Sequence, residues 1–255
     1  MERLLPDPGE TTVAAQLSGF NPGALAGAER PYTYTNFVLS VDGHATLEGR
    51  AGTLGSRTDI EMLMGLRAGA DAVMVGAATM RVERYGRLIP DASKRARRER
   101  RGLPHDPLAV LVSASLDLPW DAGLFTCGAG RVLIFTSSER EPPPTATPVR
   151  VVRHRDAVDV AEMVRHLRAE RGIRALLCEG GPRLHGQLVA AGLVDELFVT
   201  RGPLLAGGQG PGLLSGVPEG AIALELEWLL REESELYARY RVGRDGARDP
   251  EPAEG

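Results

Sequence analysis

The run Asp71-Ala72-Val73-Met74-Val75, followed by Gly76-Ala77-Ala78, constrains the fold more than any other stretch of the chain. Its β-branched, apolar centre between Gly69 and Gly76 predicts a short buried strand. The side-chain-free corner after it, with Thr79 and Met80 opening a helical turn, aims backbone N–H groups past the strand end. That geometry favours phosphate. Any βα turn shares this composition, so the corner gains meaning from a second one. Glu179-Gly180-Gly181-Pro182 follows the apolar run Arg174 to Cys178 and precedes a helix over 183–190. Pro182 suits the first turn of that helix. Two such corners in one sheet can cradle the two ends of a pyrophosphate.

The remaining pattern is that of an α/β chain. Tyr32 to Ser40 is β-branched and aromatic, a strand ending in the turn Ser40-Val41-Asp42-Gly43. A glycine-rich loop over 48–55 leads to Ser56, an N-cap with Asp59 three residues on, and the helix continues to Leu66-Arg67. Strands are predicted over 108–112, 131–135, 149–152 and 194–200, with a helix over 158–171 stopped by Gly172. Leu224, Leu226 and Trp228 alternate with acids, and 236–242 returns, predicting a hairpin with one buried face. Residues 31–243 thus read as one domain. Residues 1–30, rich in Gly, Pro and Ala, read as a flexible arm with a short helix near Val13 to Leu17. Residues 244–255 read as a disordered tail.

Composition excludes several function classes. The net charge of −4 over 255 residues gives no global attraction to nucleic acid. One basic run, Lys94 to Arg101, is either an anion patch or a solvated face, and the solvated face is the commoner case. No apolar run is long enough for a membrane span and no basic segment precedes an apolar core at the start, so a cytoplasmic protein is expected. Neither the two cysteines nor the five histidines are spaced as metal ligands, and no metal is expected. The fingerprints G-x-G-x-x-G and G-x-S-x-G are absent. Redox chemistry with a bound cofactor is what remains.

Taken together, LSVDG at 39–43, LRAGADAVMVGAATMRVE at 66–83, LLCEGGPRLHGQLVAAGLVDEL at 176–197 and the loop Pro203 to Gly208 resemble the pyrimidine reductases of riboflavin biosynthesis. These belong to the dihydrofolate reductase-like superfamily. The resemblance implies a mostly parallel central sheet flanked by helices, with a C-terminal antiparallel hairpin. It also implies a homodimer and NADPH at the strand ends, with hydride passing to the sugar carbon of 5-amino-6-(5-phosphoribosylamino)uracil. Dihydrofolate or another pterin is the alternative acceptor, and a module that binds NADPH without catalysis is a further one.

By the same resemblance Leu39, Gly76, Thr79, Glu83, Ser113, Gly180, Gly181, Pro182, Arg183 and Leu184 contact the cofactor. Thr136 and Ser137, with Arg140, lie where the adenosine 2′-phosphate would sit. The Gly180-Gly181 pair matches a superfamily position where the peptide is often cis. Glu179 matches the acid that faces the pyrimidine. Asp42 is either a catalytic acid or a turn-former, and Asp59 either the pterin-type acid or a capping-box residue. Arg67 reaches a substrate phosphate or pairs on its helix face, and Leu88 lines the substrate. Two departures concern the substrate half. The loop Ala51 to Gly55 lacks the family's Ser-x-Trp, and Arg84 or Arg87 must replace its phosphate-binding arginine.

Overall fold

The computed structural model describes residues 1–243. In chain order, β1 (Glu2–Leu5), β2 (Gly9–Glu10) and α1 (Val13–Gln16) precede β3 (Tyr32–Leu39) and α2 (Arg57–Gly69). Then follow β4 (Ala72–Gly76), α3 (Ala77–Glu83), α4 (Ala92–Arg100), β5 (Leu108–Val112), α5 (Gly123–Thr126), β6 (Val132–Thr136) and β7 (Val149–Arg153). The chain closes with α6 (Val160–Arg171), β8 (Ala175–Cys178), α7 (Pro182–Ala190), β9 (Glu196–Arg201), β10 (Leu224–Glu232) and β11 (Glu235–Val242). The strands form one sheet in the order β2-β1-β10-β11-β9-β3-β8-β4-β5-β6-β7. From β9 to β7 every pairing is parallel, and from β9 outward through β11, β10, β1 and β2 every pairing is antiparallel. The expected α/β class, with a mostly parallel sheet and antiparallel C-terminal strands, is what the chain adopts.

Side-chain alternation divides the core into two layers. Val73 and Val75 of β4 face Met62 and Leu66 of α2, in one cluster with Leu111, Ile134 and Leu177. Ala72 and Met74 turn the other way, to Met163, Val164 and Leu167 of α6 and Leu184 and Leu188 of α7. Because parallel strands are covered on both faces, their carboxyl ends form the one rim where loops and helix starts gather.

Three expectations are corrected. Residues 1–30 do not form a loose arm: β1 pairs with β10, Phe20 meets Tyr34 and Phe198 edge-on at 5.1 and 5.3 Å, and Arg30 grips Asp195 through two bonds of 2.6 and 2.7 Å. The anchors are spread without period through Gly- and Pro-rich sequence, so no window of it reads as core. The C-terminal hairpin lacks the single buried apolar face. A bulge between Leu226 and Trp228 reverses the alternation, so Trp228 and Leu230 are buried while Leu224 and Leu226 stay exposed. The basic run, lastly, is partly internal. Arg98 is only 1 % exposed, and its Nη1 donates to the carbonyls of Arg67, Ala68 and Ala70 at the end of α2. Arg95 likewise donates to the carbonyls of Ile89 and Pro90. The expected tail at 244–255 lies outside the described residues.

The docked N-terminal segment generates a stability prediction. Phe20→Ala should cost about 3 kcal/mol, the usual loss for a buried aromatic, measured by urea denaturation. A loss below about 1 kcal/mol would mean that the segment is not part of the core.

Candidate active site

A cleft of about 500 Å³ opens at the strand carboxyl ends. This is within the range of small-molecule sites. Its walls are Asn36, Phe37 and Val38 of β3, one side of α2 from Asp59 to Arg67, Thr79 and Glu83 of α3, and Glu179, Gly181 and Pro182 after β8. The glycine-rich loop over 45–55 and Tyr85 complete it. A second concavity, about 360 Å³, lies at the opposite ends of β5 and β6 beside the C-terminus of α6, far from this rim.

The two glycine corners stand side by side. Gly76 donates its N–H to the Gly180 carbonyl at 2.8 Å, so that amide is engaged by the neighbouring corner and is not free for phosphate. Gly180 has φ +110, which L side chains rarely adopt, and its peptide to Gly181 is cis. A Cβ on Gly181 would lie 2.9 Å from Thr79 Oγ1. The corner is therefore bare backbone, and the opening amides of α7 have no partner within their helix. Beyond the cleft, Ser113 is buried at the end of β5 with its hydroxyl unpartnered. Thr136 and Ser137 donate to the Ala114 carbonyl at 3.2 and 3.4 Å. Arg183 is exposed and Leu184 is buried under α7. A bare cradle, an orphan hydroxyl and free helix-start amides along one rim fit a phosphate-bearing dinucleotide.

On the cleft floor, Arg67 donates from Nε and Nη2 to the two oxygens of Glu179, each at 2.6 Å. Both side chains are nearly buried, 9 % and 3 % exposed. Arg67 also donates from Nη1 to the Leu88 carbonyl at 3.2 Å and lies 5.2 Å over the Tyr85 ring. Burial alone would lower the pKa of this guanidinium, but the Glu179 carboxylate more than offsets it and raises it. Arg67 is therefore paired across the sheet with Glu179 and not along its own helix face. Glu179 keeps further lone pairs for N–H donors in the cleft. Leu88, expected at the substrate, is a core side chain that offers only its carbonyl.

Asp59 does not act as a capping-box acid. Ser56 alone caps α2, accepting the Thr58 amide, while Asp59 turns inward and is 8 % exposed. Its Oδ1 is buried with no partner. Burial first, and then the negative charge of Glu235, push its pKa up to about 6, against the opposing pull of the Thr200 hydroxyl. Asn36 lines the same cleft at 9 % exposure with an unpartnered Oδ1. It belongs to no motif; an amide inside a strand of Thr and aromatic residues was the only signal.

Asp42 and Leu39 lie apart from the cleft. Asp42 accepts from the Ser40 hydroxyl and from the amides of Ala206 and Gly207 at 3.0 and 2.7 Å. The Ser40 hydroxyl first, then those amides, lower its pKa. Its carboxylate anchors the Pro203–Gly208 loop, the turn-forming role. Leu39 packs in a side cluster with Phe37 and Val199, and its carbonyl accepts from Gly202 at 2.9 Å. Glu83 is at the cleft, but it accepts the Ala51 amide at 3.1 Å and ties α3 to the glycine-rich loop.

Comparison with known proteins follows the same lines. Residues 31–233 match the RibD C-terminal domain family. A protein of Methanothermobacter thermautotrophicus named 2,5-diamino-6-ribosylamino-4(3H)-pyrimidinone 5′-phosphate reductase is 30% identical over 226 residues, 85% of this chain and 95% of that protein. Its namesake from Archaeoglobus fulgidus is 29% identical over 71% of this chain and 84% of its own length. The RibD protein of Bacillus amyloliquefaciens is 30% identical, but the match spans 49% of its length. In fold, a pyrimidine reductase-like protein of Corynebacterium diphtheriae superposes with a TM-score of 0.76 over 92% of this chain and all of that one, at 24% identity. The riboflavin biosynthesis reductase of Saccharomyces cerevisiae superposes with a TM-score of 0.66 over 91% and 99%, at 17% identity. The chain is an oxidoreductase of the RibD C-terminal domain family, the pyrimidine reductases of riboflavin biosynthesis.

Proposed function

We propose that this reductase uses NADPH to reduce the ribosylamino group of a phosphorylated pyrimidine, with Asp59 as the acid of the reaction. The observation that carries the reading is a buried acid with a raised pKa and an orphan oxygen, in one cleft with the Arg67–Glu179 pair and the bare Gly181. The relatives named above as reductases act, by their names, on a diamino-ribosylamino-pyrimidinone phosphate. That compound and its deaminated uracil counterpart are the two substrates of choice.

NADPH, when bound, supplies a hydride. The chain's own residues do the rest. Gly76, Gly180 and Gly181 would leave room for the dinucleotide, Thr79 and the first amides of α7 at Arg183 and Leu184 would hold its phosphates, and Ser113, Thr136 and Ser137 would serve its adenosine half. Arg67 fixes the Glu179 carboxylate so that its free lone pairs accept N–H groups from the pyrimidine edge. Asn36 offers a carbonyl to the same kind of donor. Asp59, protonated, holds its hydrogen for the sugar oxygen or nitrogen that gains a proton as its carbon takes the hydride. A pterin is the second acceptor to test, since an inward acid in the first turn of α2 suits a pterin's N–H edge equally. We also read the exposed Leu224 and Leu226 as the face that a second copy covers, and Leu226→Arg should then give a monomer in light scattering.

NADPH oxidation followed by absorbance with each of the three acceptors tests the reading; binding of NADPH with no turnover of any would leave only a nucleotide-binding module. Activity that needs the Asp59 proton falls as pH rises through about 6. The stability linkage has the matching sign. A carboxyl whose pKa rises on folding costs stability above that pKa and nothing well below the unfolded value. Asp59→Asn should therefore raise stability at neutral pH by up to about 3 kcal/mol, with the gain gone near the unfolded pKa of 3.8, while turnover drops about a hundredfold or more. Arg67→Ala should act oppositely on stability, losing about 3 kcal/mol by stranding Glu179, as read by denaturation.

A further inference from the structure

Behind Asp59 stands a second acid that does not line the cleft. Glu235 opens β11 and is buried. Its Oε2 accepts the Ser56 hydroxyl at 2.5 Å and also the Tyr237 phenol. The same Ser56 oxygen accepts the Thr58 amide at 3.1 Å, so the residue that caps α2 is itself held by the hairpin. Tyr237 Oη lies 3.4 Å from Ser56 Oγ and closes a triangle of three side chains. A buried staple for a helix end needs only a neutral hydroxyl or amide. A buried carboxylate is the costlier choice.

The groups acting on Asp59 are few. Glu235 comes from β11 and Thr200 from β9, and Tyr237 of β11 in turn feels the Asp59 charge. None of these is a cation. Of the cations on α2, Arg57 is exposed and two residues from Asp59, on another side of the helix, and Arg67, roughly 12 Å further along the helix axis, is bound to Glu179. A buried acid with an anion behind it and no cation facing it holds its proton to higher pH than a free carboxyl does.

We propose that Glu235 is a positioning residue for the reduction: through Ser56 it aims Asp59 into the cleft, and through its charge it holds the Asp59 proton there. The inference rests on Asp59 being the acid of the reaction proposed above. The experiment separates the two. Full-length protein labelled with carbon-13 at the aspartate carboxyls is titrated by NMR, the Asp59 signal being assigned by its loss in Asp59→Asn. Glu235→Gln should lower the Asp59 midpoint by roughly half a unit or more, as removal of a like charge does. Turnover above neutral pH should then fall about threefold, with NADPH binding unchanged. Glu235→Asp, which keeps the charge, should stay close to wild type in both readouts. If Glu235→Gln loses melting temperature while the Asp59 midpoint and the pH profile stay in place, Glu235 is only a staple and the proposal is overturned. If Glu235→Gln does not fold, Tyr237→Phe carries the test. It strips a donor from Glu235 and leaves the charge, so the Asp59 midpoint should rise, and an unmoved midpoint overturns the proposal. A midpoint that moves as expected in an enzyme that reduces none of the acceptors supports the coupling and counts against the proposed function alone.

Discussion

The insertion of β8 between β3 and β4 is the constraint on which the site depends. β8 follows α6 in sequence, yet it pairs in parallel with both of the earliest core strands. Parallel pairing sets strand ends level, so the corner after β8 falls beside the corner after β4, and the Gly76 amide reaches the Gly180 carbonyl. The same pairing carries Glu179 under the end of α2, within reach of Arg67. One topological fact thus sets the nucleotide cradle and the acid–arginine pair in a single cleft. Sequence neighbours supply neither: Arg67 and Glu179 are 112 positions apart.

Much of the fold was legible because its signals are local. Short β-branched runs bounded by glycine gave the parallel strands, and Pro182 and Gly172 marked a helix start and a helix end where the structure has them. The adjacency of the two glycine corners was legible through the order of the motifs. The docking of residues 1–30 was not, since Phe20 and Arg30 act through partners at Phe198 and Asp195 that no local pattern announces. The bulge at Leu226 and Trp228 was also hidden, because alternation looks the same in sequence with or without an extra residue in the ladder.

At the site, residue types were easier to foresee than their partners. Glu179 and Asp59 were expected near the substrate, and both line the cleft. That Arg67 would bind Glu179, or that Asp59 would leave the capping position to Ser56, depends on contacts across the sheet. Asp42 had two readings with the same local signature. The loop at Ala206 and Gly207 decides its position, and that loop lies more than 160 residues away.

The burial of Arg98 extends the site's supporting structure well beyond the cleft. Helix α2 carries both Asp59 and Arg67, and its last carbonyls face an arginine from the most basic segment of the chain. With Ser56 fastened at the other end, α2 is a beam clamped at both ends, so the spacing of its two functional side chains is a property of the clamps as well as of the helix. Six basic residues within eight positions look interchangeable on paper. One of them is a structural bolt, and changes there would reach the chemistry by tilting the beam, with no contact to any ligand.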